Sequence, residues 1–309
     1  MNVVLAPAPG RRIPRGLFGA LVVFLISPFP GLCLAAPLAG RLLLARPRTG
    51  REWGWIGGAL FLVVAGFAAE RNLAQQLLIG YSLAFTGAVL ALQRWRPGPV
   101  FPRVAVAAVD MATLISVIAW AAGIQWNEVR LVLETQFQQQ LTDALAVWNV
   151  SSAQAADLRK IVAGLATVYP GVAVLGAIAG GMLSNAMAWY ITGGRSGEEP
   201  VRFREFRFND HLIWGAIVTL GLVLAPLRSP WSVLAFNMLL VWAGVYLARG
   251  TAVALSMVAR WSLSFRLALF ISGALLLPYA AGALMLVGLA DTWLDLRRGH
   301  GPPAQGVMQ

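Results

Sequence analysis

The chain has one cysteine, one lysine and two histidines in 309 residues, and only 12% of those residues are charged. Each shortage excludes something. A lone Cys33 cannot close an intramolecular disulfide and rules out a cysteine-ligated zinc site. Its context, Pro30-Gly31-Leu32-Cys33, places leucine where a lipoprotein signal needs a small residue. His211 and His300 are far apart, so no His-x-x-x-His metal pair exists. Paired aspartates at metal-ligand spacing, a Gly-x-Ser-x-Gly elbow and a phosphate loop are also missing. A Ser–Lys dyad would have to recruit Lys160. The expectation is a non-enzyme with no cofactor and no metal. Soluble domains carry about 25% charged residues, so this chain cannot cover a water-exposed globule with charge.

Apolar residues make up 58% of the sequence, and the mean hydropathy is +0.70. They fall into eight blocks, Gly16–Ala45, Trp53–Ala69, Leu73–Leu92, Val100–Ile124, Gly171–Thr192, His211–Leu227, Trp231–Ala259 and Leu267–Ala290. About 20 apolar residues cross a hydrocarbon core roughly 30 Å thick. Lipid offers the backbone no hydrogen-bond partner, so each block must be helical. Short alternating segments, the mark of a membrane barrel, do not occur. The fold class is therefore an all-α, polytopic integral membrane helix bundle. Ser27-Pro28-Phe29-Pro30-Gly31 interrupts the first block and Pro278 the last, because proline removes a donor and clashes with the preceding turn. Each of these two blocks is either a short hairpin or a kinked helix. Arg11, Arg12 and Arg15 ahead of an apolar run imitate a signal peptide with cleavage after Ala35. A retained first segment is expected, because the rest of the chain is itself membrane-embedded.

The net charge of +11 is carried almost wholly by arginine, at the ends of the blocks. That is topogenic charge facing anionic lipid headgroups, which makes the bilayer the expected partner and excludes nucleic acid. With both termini and the connections at 41–51, 94–103, 195–207 and 260–266 cytoplasmic, that side holds 19 of the 24 basic residues, counting Arg249 near an inner helix end. The location this implies is a bacterial cytoplasmic (inner) membrane with the N-terminus inside.

Organisation follows the hydropathy. Residues 1–15 form a cytoplasmic segment, 16–124 the N-terminal membrane helices, 125–170 an extracytoplasmic amphipathic region, 171–296 the C-terminal membrane helices and 297–309 a disordered tail. Within 125–170, Trp126, Val129, Leu133, Phe137, Leu141, Leu145 and Trp148 recur at helical spacing opposite an acidic and glutamine-rich arc. Ser151 and Gln154 resemble a capping box opening a second helix, and Tyr169-Pro170-Gly171 is expected to end it. The pair is expected to pack on the helix bundle rather than lie on lipid.

Polar groups inside apolar blocks are the candidate sites. A charge at mid-helix costs about 2.5–3.5 kcal/mol on insertion scales. Asp110 stands in the middle of the fourth block, and Thr113 and Ser116 follow at helical spacing. The functional reading is a substrate, cation or proton site facing the bundle interior; the structural one is a hydrogen-bond hub, or an aspartate nearer the interface. Asn185 and Asn237 are candidate ligand contacts or interhelical glue. Gly176, Gly180 and Gly181, like Gly54 and Gly58, have the small-residue spacing that lets helix backbones approach.

Phe203-Arg204-Glu205-Phe206-Arg207, Asp210 to Trp214, Asn237 with Tyr246-Leu247-Ala248-Arg249-Gly250-Thr251-Ala252-Val253, and Gly288-Leu289-Ala290-Asp291 followed by Asp295-Leu296-Arg297 occur in this order. Together they resemble the YybS-like family of polytopic bacterial membrane proteins. Arg249 stands where that pattern has glutamine, and Asn209-Asp210 where it has proline. The resemblance implies no established activity. At fold level it implies similarity to substrate-capturing subunits of energy-coupling-factor transporters and to the rod-shape protein MreD. Two functions are therefore expected to compete. One is a small-molecule-binding transport subunit, using Asp110, Thr113, Asn185 and Asn237 and energised by a separate membrane protein. The other is a non-catalytic assembly or scaffold protein. An intramembrane enzyme is the lesser alternative.

Overall fold

A computed structural model describes residues 13–26, 31–68, 72–95, 98–148, 152–196, 199–259 and 261–297. Among these residues all regular structure is helical, and the chain divides into two compact units, Met1–Pro200 and Val201–Gln309. The first holds α1 (Arg15–Ile26), α2 (Leu32–Leu44), α3 (Gly50–Ala68), α4 (Leu73–Trp95), α5 (Val100–Ala121), α6 (Trp126–Trp148) and α7 (Ser152–Ile191). The second holds α8 (Ile213–Leu224), α9 (Trp231–Val258), α10 (Leu263–Leu275) and α11 (Leu277–Leu294), preceded by single 3-10 turns at Phe203–Glu205 and Asp210–Leu212. Five of the helices, α4, α5, α7, α9 and α11, are long and apolar enough to cross a bilayer. The result is a polytopic membrane helix bundle.

The first apolar block forms two helices, α1 and α2; the Ser27–Pro30 stretch between them lies outside the described residues. The last block also breaks. Leu276 leaves helical geometry at φ −107°, ψ 35°, and Pro278 takes up the first turn of α11, where its missing N–H leaves nothing unpaired.

Only 13 residues long, α2 is too short to span, and Cys33–Ala39 together with Arg41 and Leu42 are buried. It sits at the centre of the first unit, packed by α3, α4 and α7. Enclosure by protein rather than lipid is what lets it keep an internal Pro37 and an arginine. Arg41, placed among the loop cations by the charge pattern, is therefore an interior residue at 3% exposure. Gly180 makes this packing possible, since a Cβ there would lie 2.6 Å from the Cys33 carbonyl oxygen.

Two helix starts carry reciprocal caps. The Thr49 hydroxyl accepts the Glu52 N–H at the head of α3, while the Glu52 carboxylate accepts the Arg48 N–H. At α4, Asn72 and Gln75 each accept the other's backbone N–H. The cap expected at Ser151 lies outside the described residues.

The break expected at Tyr169-Pro170-Gly171 does not occur, because α7 continues through Pro170 for 40 residues. Proline costs the helix one hydrogen bond, but the helix continues through it where α6 packs alongside. Val129 and Leu133 of α6 are buried with Ala166 of α7 and Ala74 of α4, and the Phe137 ring meets Tyr169 edge-on at 5.5 Å. The first half of the apolar stripe of α6, Trp126 to Phe137, thus packs on protein.

In the second unit the backbones of α9 and α11 touch. A Cβ on Gly250 would run into the Leu284 carbonyl, and one on Gly288 into the Tyr246 carbonyl, so both positions require glycine.

Candidate functional site

Beside the Gly250–Gly288 crossing lies the most polar interior of the second unit. Arg249 is 2% exposed, the bulkiest fully buried side chain among the described residues. Its Nε donates to Asp291 Oδ2 at 2.9 Å, one terminal nitrogen to Asp210 Oδ1 at 2.7 Å, and the other to the Asp291 carbonyl at 3.2 Å. Asp291 Oδ2 also accepts from Arg297 at 3.4 Å, and Arg297 donates to the Arg204 carbonyl at 3.0 Å. Arg207 pairs with Asp295 at 2.5 Å. The Phe208 ring covers the Arg249 guanidinium at 5.1 Å and meets Tyr246 edge-on. Asp291 Oδ1 is buried with no hydrogen-bond partner.

The chemistry of this set follows from its charges. Arg207, Arg249 and Arg297 face Asp210, Asp291 and Asp295, so the network is neutral. Every charged side chain of the set has at least one opposite partner, and Asp291 Oδ1 is its one buried oxygen without a hydrogen bond among the described residues. It ties α9, α11 and the segment before α8 together. Among the described residues no group of three metal-ligating side chains occurs.

The first unit uses arginine in the same way. Arg41 donates to the Gly181 carbonyl at 2.6 Å and to Ser184 Oγ at 2.8 Å, joining α2 to α7. Arg195, just past α7, donates to the Thr192, Ala45 and Arg46 carbonyls and pairs with Glu52 at 2.5 Å. One side chain thus gathers the ends of α2 and α7 and the start of α3. Burial alone would raise the Glu52 carboxyl pKa. The hydrogen bonds from Arg195 and the Arg48 N–H, with the Arg195 charge, outweigh it and hold Glu52 below its ordinary value.

The residues proposed from sequence fall in different places. Asp110 and Thr113 lie on the exposed face of α5, and the Thr113 hydroxyl donates to Val109 O of its own helix at 2.9 Å. Asn185 is buried within α7, away from that face. Asn237 is buried in α9 of the second unit and donates to the Val233 carbonyl at 2.8 Å. Gly176 is buried, Gly180 touches α2, and a Cβ on Gly181 would meet Val104 at 2.7 Å. Gly54 and Gly58 have nothing within 4 Å of a Cβ position, so they make no close approach among the described residues. A cavity of about 360 Å³ in the second unit is lined by Leu222, Leu227, Trp231, Leu234, Ala235 and Met238. One of about 290 Å³ in the first is lined by Phe67, Gln76, Ile79 and Gly80. Neither lining includes Asp110, Asn185 or Asn237.

Sequence reasoning passed over Arg249 and Asp291 as a pair. A signal was present, since Arg249 stands inside the seventh apolar block and Asp291 directly at the end of the eighth. Their separation of 42 residues hid the partnership.

No curated protein and no solved structure matches this chain. A family model described as predicted membrane protein (DUF2232) matches residues 17–292, and the chain belongs to that family.

Proposed function

We propose that this protein is a non-catalytic membrane assembly subunit that presents a two-helix arm to a partner outside the cytoplasm. The observation that carries this reading is the length of α7. Its 40 residues rise about 60 Å, twice a hydrocarbon core of about 30 Å. Gly171–Ile191 contains no charge and suffices for one crossing. Residues 152–170 carry Asp157, Arg159 and Lys160 and have no place in lipid. Antiparallel to them runs α6, where Gln138 donates to the Arg159 carbonyl at 3.0 Å. The far end of this arm is uncovered, with Gln139, Gln140, Asp143, Arg159 and Lys160 exposed. Leu131 and Ile161 are also exposed, at 56% and 66%. The arginine asymmetry of the connections supports a bacterial cytoplasmic membrane with the N-terminus inside and the arm outside.

Leu131→Glu combined with Ile161→Glu tests this in the full-length protein. Recovery of a cross-linked partner from native membranes is expected to fall about tenfold or more with the melting temperature unchanged. Undiminished recovery would contradict the reading.

An apolar surface groove of about 360 Å³, lined by the exposed Leu222, Trp231, Leu234 and Met238, favours a second reading. It is within the size range of small-ligand sites and suits an apolar molecule, as in a capture subunit energised by a separate protein. Under that reading, such ligands raise the melting temperature of the purified protein.

A further inference from the structure

Asp110 is the eleventh of the 22 residues of α5, about 15 Å along the axis from either end. It is exposed, and no side chain among the described residues bonds or pairs with it. Around it the exposed face is apolar, with Val106, Val109, Leu114, Val117 and Ile118 each 45–53% exposed. Thr113 and Ser116 turn their hydroxyls back to carbonyls of their own helix and offer Asp110 nothing. The opposite face, with Phe101, Val104, Ala107 and Ala108, is buried against the rest of the first unit. An otherwise lipid-compatible helix face thus carries one carboxylate at the depth where a charge is least tolerated.

We infer that this face of α5 docks a membrane helix of a partner protein, and that the docked helix carries an arginine or lysine at mid-depth that pairs with Asp110. Charge complementarity selects the occupant. Among the described residues a second copy of this chain has no such cation to offer at mid-depth, because its interior arginines Arg41 and Arg249 are 3% and 2% exposed and already bonded within their units. A two-fold pair through α5 would instead set Asp110 against Asp110. Opposite charges brought together in the hydrocarbon relieve each other's cost, so the pair specifies both partner and depth. The inference rests on the assembly role proposed above and supplies its intramembrane contact.

The test places a photo-cross-linking amino acid at Val117, two turns from Asp110 on the same face, in the full-length protein in its native membrane. The expected result is a cross-link to one protein, at a segment with Arg or Lys inside an apolar run. Asp110→Asn should lower its yield at least tenfold, while the melting temperature of the purified protein stays unchanged. Asp110→Arg combined with the partner's basic residue changed to Asp should restore the yield. Cross-links only to lipid, only to a second copy, or at equal yield in Asp110→Asn would overturn the inference. The arm variants Leu131→Glu and Ile161→Glu separate the two claims. If they abolish partner recovery while Val117 captures nothing, only the intramembrane contact is wrong; if partner recovery is also the same with and without them, the assembly role falls too.

Discussion

Removing the Arg249 side chain would leave the Asp291 carboxylate buried beside Arg297 alone. Breaking a buried pair by deleting one partner costs about 3–5 kcal/mol, whereas replacing both partners with apolar groups costs far less. Arg249→Met should therefore lower the melting temperature of the detergent-solubilised protein strongly. Arg249→Met with Asp291→Leu should recover most of that loss, and a double-mutant cycle measures the coupling. Gly250→Ala acts through the backbone, because its methyl would meet the Leu284 carbonyl. Destabilisation of at least about 1–3 kcal/mol is expected, against almost none for Gly58→Ala, which faces open space. At this scale the sequence was readable only in part. Asp110 was recognisable as a mid-helix charge, but α5 is apolar on nearly every side, so periodicity could not tell which face looks inward. Arg41 read as a loop cation because α2 is too short to be recognised as an enclosed helix.

Between elements, the Arg195–Glu52 pair ties the end of α2, the start of α3 and the end of α7. Glu52 precedes the apolar run that begins at Trp53 and lies at the head of α3. Its pKa is lower in the folded protein than the ordinary 4.5. Just below pH 4.5 the unfolded chain therefore binds more protons at this site than the folded one. The stabilisation is fully present above that pH and disappears as pH falls through the folded value. Melting temperatures measured from pH 7 down through that window should show a larger loss for wild type than for Glu52→Gln. Parallel curves would remove Glu52 from the account. Helix existence was legible here, because a bilayer forces apolar runs into helices, and the break before Pro278 followed from proline. Continuity through Pro170 was not legible, since it depends on α6 lying alongside.

For the whole molecule, hydropathy carried the fold class and the arginine distribution carried the proposed orientation. Division into two units at residue 200 was not readable, because it falls in a short charged connection that looks like other inter-helix loops. An outer arm built from α6 and the first half of α7 is the claim on which the proposed function depends. Cysteine labelling in intact cells tests it most directly, and Cys33, 0% exposed, gives no background. With Gln139→Cys in the arm and Glu205→Cys in the connection before α8, a membrane-impermeant maleimide should label position 139 in intact cells. It should label position 205 only after the membrane is opened. Labelling of 205 but not 139 in intact cells would contradict the account.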